Sequence, residues 1–248
     1  MTTLTGIHAV REALRGSPER VRKVVISEGR LDVRAQEILD LARAAGVPVY
    51  REHPRVLKSL ASGGHHQGVV AEMAALRWWN LDEVLAGVPE PALLLALDRL
   101  EDPRNLGAVA RTADGAGVFG ILVPERGSAP PSGVAVAASA GALLHTRLAR
   151  VTNLTSALKK VKEKGIWVVG LAPDGAIPWY QFDYTVPLAL VLGSEGRGLR
   201  PLVSKTCDEL VSLPQRGSVG SLNLSVAAGV VLYEALRQRM VGGPGQAR

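Results

Sequence analysis

The feature that most constrains this chain is an alternation, from residue 92 onward, of short apolar runs with amphipathic stretches. Strand patterns stand at Ala92–Asp98, Phe119–Val123, Ile166–Gly170, Leu188–Gly193 and Glu209–Leu213. Helical patterns stand at Asn105–Gly115, Ser132–Leu144, Thr152–Lys164 and, last, Leu222–Met240. A run such as LALVL has no polar face, so both of its faces must be covered, as they are in a parallel sheet flanked by helices. The predicted class is therefore α/β with a mainly parallel sheet, and ligands are expected beyond the carboxyl ends of its strands.

The first third predicts a smaller α/β module over residues 1–75. Ile7–Arg15 reads as a helix stopped by Gly16, Arg22–Ser27 as a strand, and Val33–Ala45 as a helix stopped by Gly46. Val47–Tyr50 follows as a strand, Arg55–Leu60 as a short helix and Gly68–Ala74 as a closing strand, with a turn-rich loop at Ser62–Gln67. Residues 76–90 read as a linker, because Trp78-Trp79 is followed by Asp82, Glu83 and Glu90, and Pro89 and Pro91 bracket the next strand. Residues 91–248 form the main domain. There is no internal repeat, and the terminal GGPGQAR is expected to fray.

Charge narrows the partners. The formal net charge is +6 and the isoelectric point about 9.8. Residues 1–80 hold 12 basic and 8 acidic residues, so most of the excess lies in the small module. Such a footprint suits a polyanion such as nucleic acid, where Lys and Arg displace phosphate counterions; a basic surface kept for solubility fits the same count. Aromatic residues are only 4% of the chain, too few to pave a sheet with base-stacking rings. No apolar run reaches the ~18 residues of a membrane span, and the N-terminus has charges where a signal peptide needs an apolar stretch. The expectation is a soluble, cytoplasmic protein. One cysteine, Cys207, permits neither an internal disulfide nor a cysteine zinc set.

The common catalytic motifs are missing: there is no GxxxxGK[ST], HExxH or GxSxG. Gly115–Gly120 matches GxGxxG but follows a helix and precedes a strand, the reverse of the order that sets phosphate on a helix N-terminus. Those glycines read as a helix stop and turn, and the adjacent His65-His66 as an ordinary loop. Three other stretches each follow a strand and join glycine to polar residues. Leu97–Arg111 contains an Asp102-Pro103 turn, Asn105 as a helix cap, and Arg111 six positions further on, either functional or simply snorkelling. Gly193–Gly198 offers three glycines, which admit a ligand close to the backbone, and the carboxylate of Glu195. Leu213–Ser225 leads into the last helix with Ser221, Asn223 and Ser225 as caps or ligand contacts. Singly, each has a bland reading as a loop or cap.

In this order the three stretches resemble the TrmH-like branch of the SPOUT methyltransferases, RNA ribose 2′-O-methyltransferases. That branch carries DPxNLGAxxRTADxxGV, then GSEGxGL, then LPxxGxVxSLNLSVAAGV, standing here as Asp102–Val118, Gly193–Leu199 and Leu213–Val230. GIHAVREAL and HHQGVVAE near the N-terminus match the bacterial subgroup that methylates a guanosine of 23S ribosomal RNA. The resemblance covers nearly the whole chain. It implies a deep trefoil knot in the C-terminal domain and a ribosomal-protein-like RNA-binding module before it. It also implies S-adenosylmethionine as cofactor, large-subunit ribosomal RNA as partner, a homodimer whose site draws on both subunits, and no metal.

By motif position, Gly193, Leu213, Ser221 and Leu222 are the implied cofactor contacts, with Arg111, Asn105, Glu195 and Asn223 as the catalytic set. The implied reason for Gly193 is room for the cofactor. Leu143-Leu144-His145 departs from the family pattern, which often carries Glu before that His. Alternatives within the enzyme class are a transfer-RNA ribose or an antibiotic-resistance site in ribosomal RNA. Outside it stand a non-catalytic RNA-binding or ribosome-assembly protein, and a metabolic enzyme with a nucleotide cofactor.

Overall fold

In the computed structural model, which describes residues 1–29, 32–62, 65–217 and 220–241, the strands gather into two sheets. The first is built from β1 (Thr2–Thr5), α1 (Ile7–Gly16), β2 (Val21–Ser27), α2 (Val33–Ala44), β3 (Val49–Glu52), α3 (Pro54–Leu60) and β4 (Val69–Met73). Its four strands run in the order β1-β4-β2-β3, with β2 and β3 parallel and the other pairs antiparallel. α1 buries Ile7, Ala9, Val10, Ala13 and Leu14, a helical-period stripe, and α2 starts where the Asp32 side chain accepts from Ala35 N at 2.7 Å.

The second sheet follows α4 (Leu81–Gly87) and comprises β5 (Leu93–Leu97), α5 (Pro103–Gly115), β6 (Gly120–Pro124), α6 (Gly133–Ala138), β7 (Arg147–Val151), α7 (Leu154–Glu163), β8 (Trp167–Leu171), β9 (Ile177–Pro178), β10 (Leu188–Leu192), α8 (Pro201–Ser204), β11 (Glu209–Ser212) and α9 (Leu224–Val241). Seven strands lie in the order β7-β6-β5-β10-β8-β11-β9, every pair parallel. β5, β6 and β10 are buried along their whole length, as their unbroken apolar sequences require. Two compact units result: residues 1–77 with 106–111 and 130–145, and residues 78–105 and 112–129 with the chain from 146 onward.

The strand order places the site. From β5 the chain moves outward through β6 to β7, then returns so that β10 lies between β5 and β8. The order reverses at the β5/β10 boundary, where a crevice opens beyond the carboxyl ends of the two strands. In register, Leu192 pairs with Leu97 and with Leu171, so the loops after β5, β10 and β8 emerge side by side.

Several local readings need amendment. Asp102, not Asn105, caps α5, accepting from Arg104 N at 2.7 Å, and Asn105 lies inside the first turn. The helix read over Ser132–Leu144 is α6 followed by a separate 3-10 turn at Ala142–Leu144. Ala140 (φ 51) and Gly141 (φ 97) adopt left-handed conformations that end the first and start the second. Inside the stretch read as a linker, α4 forms on an Asn80/Glu83 capping box and buries Leu81, Val84 and Leu85. β1, β7, β9 and α8 had not been read; β7 is an edge strand carrying Arg147 and Arg150, which interrupt its apolar pattern. Gly63 and Gly64 of the Ser62–Gln67 loop, Ser218 and Val219 of the third motif, and the terminal GGPGQAR lie outside the described residues.

Candidate active site

Directly after β5 stands Asp98, a charged residue only 2% exposed. Its carboxylate accepts from Arg200 N at 2.8 Å and from Arg200 Nε at 2.7 Å, which ties the end of β5 to the chain entering α8. A buried carboxylate survives only when paired and hydrogen-bonded, and both conditions hold here. The β10 loop is pinned separately: Ser194 N donates to Gly198 O at 3.1 Å and Gly198 N to Ser194 O at 2.9 Å. That closure explains Gly193. A Cβ there would collide with the backbone of Gly198 and with Leu199 N, so the glycine lets the loop fold back on itself. This reason stands beside the expected one of room for a ligand, since Gly193 also lines the cavity described next.

Glu195 is the hub of the site. Its Oε1 accepts from Asn105 Nδ2 at 3.0 Å, from Asn223 Nδ2 at 2.6 Å and from Leu224 N at 3.3 Å. Asn223 Nδ2 also lies 3.4 Å from Asn105 Oδ1, and Asn223 Oδ1 accepts from Ser225 N at 2.9 Å and Ser225 Oγ at 2.6 Å. One carboxylate thus joins the loops that follow β5, β10 and β11, and its charge sits at the N-terminus of α9, where the helix dipole favours an anion.

Beside this cluster lies a cavity of about 450 Å³. Gly193, Leu213, Ser221 and Leu222, the four expected cofactor contacts, all line it, together with Leu171 and Pro173 from the end of β8. Leu222 remains 39% exposed there, an apolar side chain left open toward a ligand. Would-be Cβ atoms on Gly196 and Gly198 meet nothing within 4 Å, so the loop backbone borders free space. Apolar walls, bare backbone and this volume fit a nucleoside cofactor such as S-adenosylmethionine. A second cavity of about 360 Å³ shares Ser194, Glu195 and Arg197 with the first and is otherwise bordered by Asn105 and Arg99–Asp102.

Of the eight predicted residues, seven converge on this end of the sheet. Arg111 falls in the other compact unit; it is exposed and makes no hydrogen bond or ion pair among the described residues. At about 100° per residue, six residues along α5 turn it about 120° away from Asn105. Sequence reading missed the Asp98–Arg200 anchor, although an acid ending an otherwise apolar strand is a legible signal. Arg197, between the glycines of the second motif, lines both cavities. Among the described residues no group of three or more His, Cys, Asp or Glu could hold a metal ion, and no helix is long and apolar enough to cross a membrane.

Comparison with known proteins agrees with the geometry. Residues 92–233 match the SpoU rRNA Methylase family, and residues 3–79 match the RNA 2'-O ribose methyltransferase substrate binding family. The chain is 44% identical over 239 residues to the 23S rRNA (guanosine-2'-O-)-methyltransferase RlmB of Pseudomonas putida, covering 95% of this chain and 96% of that protein. The protein of the same description from Haemophilus influenzae is 45% identical over 239 residues, covering 95% and 97%. Among solved structures, the SpoU methyltransferase AviRb from Streptomyces viridochromogenes, in complex with the cofactor AdoMet, superposes with a TM-score of 0.78 at 29% identity over 97% of this chain and 91% of that one. The chain belongs to the SpoU rRNA Methylase family.

Proposed function

We propose that this protein is an S-adenosylmethionine-dependent methyltransferase acting on the ribose 2′-hydroxyl of a guanosine in 23S ribosomal RNA. The observation that carries the reading is the Asn105–Glu195–Asn223 cluster standing between an apolar, glycine-bordered cavity and a polar one at the sheet's switch point. Relatives over 95% of the chain that are described as methylating this RNA supply the substrate class.

In this reading the larger cavity holds the cofactor through Gly193, Leu213, Ser221 and Leu222. Bound there, S-adenosylmethionine supplies a methyl group activated by an adjacent sulfonium. The protein contributes alignment and charge. Glu195 fixes the three loops so that the two cavities keep one geometry, since a misplacement of about 1 Å costs on the order of 100-fold in rate. Arg111 holds the ribose-phosphate and stabilises negative charge developing on the 2′-oxygen. A guanidinium stays protonated in proteins, so its role is electrostatic and orienting rather than basic. Near-full turnover by Arg111→Lys would contradict a planar two-donor role.

The protein acts as a homodimer in which Arg111 of each subunit serves the partner's site. The rotation of Arg111 away from its own cluster supports this. So does a seven-residue stripe on α9, where Val226 (51%), Tyr233 (52%) and Met240 (72%) lie exposed. Residues 1–75 bind the RNA, residues 76–90 connect, and residues 91–248 form a trefoil-knotted methyltransferase domain. The two family matches, ending at 79 and beginning at 92, support these limits. The setting is the cytoplasm, where ribosomal RNA is available.

The test is to incubate the protein with methyl-labelled S-adenosylmethionine and, separately, unmodified 23S ribosomal RNA or bulk transfer RNA, then map 2′-O-methyl sites. A single labelled guanosine in 23S RNA is expected. Label in transfer RNA alone overturns the substrate assignment, and no label in either returns a non-catalytic RNA-binding protein.

A further inference from the structure

We infer that the smaller cavity is a guanine-reading pocket in which Glu101 and Arg99 determine base specificity. The inference rests on the ribose methylation reading above, and names the two side chains that select the nucleotide.

The loop between β5 and α5 is held at alternate positions. Asp98 is buried and bonded to Arg200; Leu100 is 4% exposed and its carbonyl accepts from Ala129 N at 2.6 Å; Asp102 caps α5. Between these fixed points Arg99 and Glu101 are exposed, and both line the cavity of about 360 Å³. Arg99 holds φ 66, a left-handed conformation that is unfavourable for a long side chain and persists only where the surroundings enforce it. Gly127 supplies part of that enforcement: a Cβ on it would lie 3.3 Å from Arg99 Cγ, so the Arg99 stem rests against the loop after β6.

The other acids of the cavity are engaged, Asp102 with the α5 cap and Glu195 with three donors. Glu101, Arg99 and Arg197 make no hydrogen bond or ion pair among the described residues. A rigid loop therefore offers one unpaired carboxylate and one unpaired guanidinium to a cavity that adjoins the cofactor's along residues 194–197. Guanine is the base whose edges answer both. Its N1–H and 2-amino group donate as a pair to a carboxylate, and its O6 and N7 accept as a pair from a guanidinium. Adenine has neither arrangement, and inosine lacks only the 2-amino donor. Arg197, which lines both cavities, lies where the nucleotide's phosphate can be met.

The test uses ribosomal RNA fragments carrying guanosine, inosine or adenosine at the mapped site, measuring methylation kcat/KM, RNA affinity and, by calorimetry, S-adenosylmethionine affinity. Wild-type protein is expected to prefer guanosine over inosine by about 10-fold and over adenosine by about 100-fold. Glu101→Ala should bring the guanosine-to-inosine ratio near one while cofactor affinity stays unchanged. Arg99→Gly, which relieves the left-handed strain and so keeps the fold, should lower guanosine-RNA affinity and the guanosine-to-adenosine ratio about 10-fold. A guanosine-directed wild type whose ratios survive in both variants overturns this inference alone. Equal losses on all three RNAs do the same, because they show a structural role. Absence of any ribosomal RNA methylation by the wild type overturns the methylation reading and this inference with it.

Discussion

At the amino ends of β5 and β10, Arg239 and Gln238 of α9 and the buried Tyr184 are bonded to the backbone. Arg239, near the end of α9, donates to the carbonyls of Tyr184 (2.9 Å), Pro91 (2.9 Å), Ala92 (2.8 Å) and Val186 (2.8 Å). Gln238 accepts from Tyr184 N at 2.8 Å and donates to Phe182 O at 3.0 Å, while the fully buried Tyr184 donates its hydroxyl to Trp179 O at 2.8 Å. At the carboxyl ends of the same strands, the loops hold open glycines, an exposed leucine and charged side chains with no partner among the described residues. α9 spans both ends, from Leu224 on Glu195 to Arg239 on the strand carbonyls. The contrast separates polar groups that hold the fold together from side chains left available for ligands, which the mutually bonded Asn105, Glu195 and Asn223 border.

Mutations should therefore divide into those that cost activity and those that cost stability. The largest effect is expected from Arg111→Ala, which should lower kcat by about 100-fold or more with unchanged melting temperature and cofactor affinity, checked by single-turnover kinetics and calorimetry. Arg239→Ala should do the opposite. It strands buried carbonyls and should cost about 3 kcal/mol in denaturant unfolding, while kcat/KM of the folded fraction is retained. If Arg239→Ala abolished cofactor binding in the folded protein, the separation of the two ends would fail.

Gly193→Ala should displace the 194–198 loop and weaken cofactor binding about 10-fold or more. Gly196→Ala, with φ 77 but open space, should cost only about 1 kcal/mol of stability. The smallest effect concerns Cys207, whose thiol is pushed up to about 12, chiefly by burial with Asp208 adding to it. It should stay protonated and resist alkylation at pH 8 in the native protein and react readily after unfolding.

Much of this was legible beforehand because the signals were local. The apolar runs of β5, β6, β8 and β10 and the three glycine-polar stretches each announce themselves within a few residues. What escaped depended on partners distant in sequence. β1, a Thr-rich strand with one buried leucine, is defined by pairing with β4; β7 is an edge strand whose arginines hide its period. α4 was missed although its Asn80/Glu83 box is local, because the acids and prolines of that stretch were read as marks of a linker. Within the site, Asn105, Glu195 and Asn223 could be named from motifs. That one oxygen of Glu195 gathers both asparagines and the first amide of α9 could not, since those groups come from three loops brought together by the strand order. The crowding at Gly193 was hidden for the same reason, since it comes from Gly198.

The most direct test of the two-ended account is amide hydrogen exchange with and without S-adenosylmethionine. The account predicts slowed exchange over residues 193–199 and 213–224, with no change over residues 182–188 at the opposite end. Protection confined to the Arg239 end, or none at saturating cofactor, would contradict it.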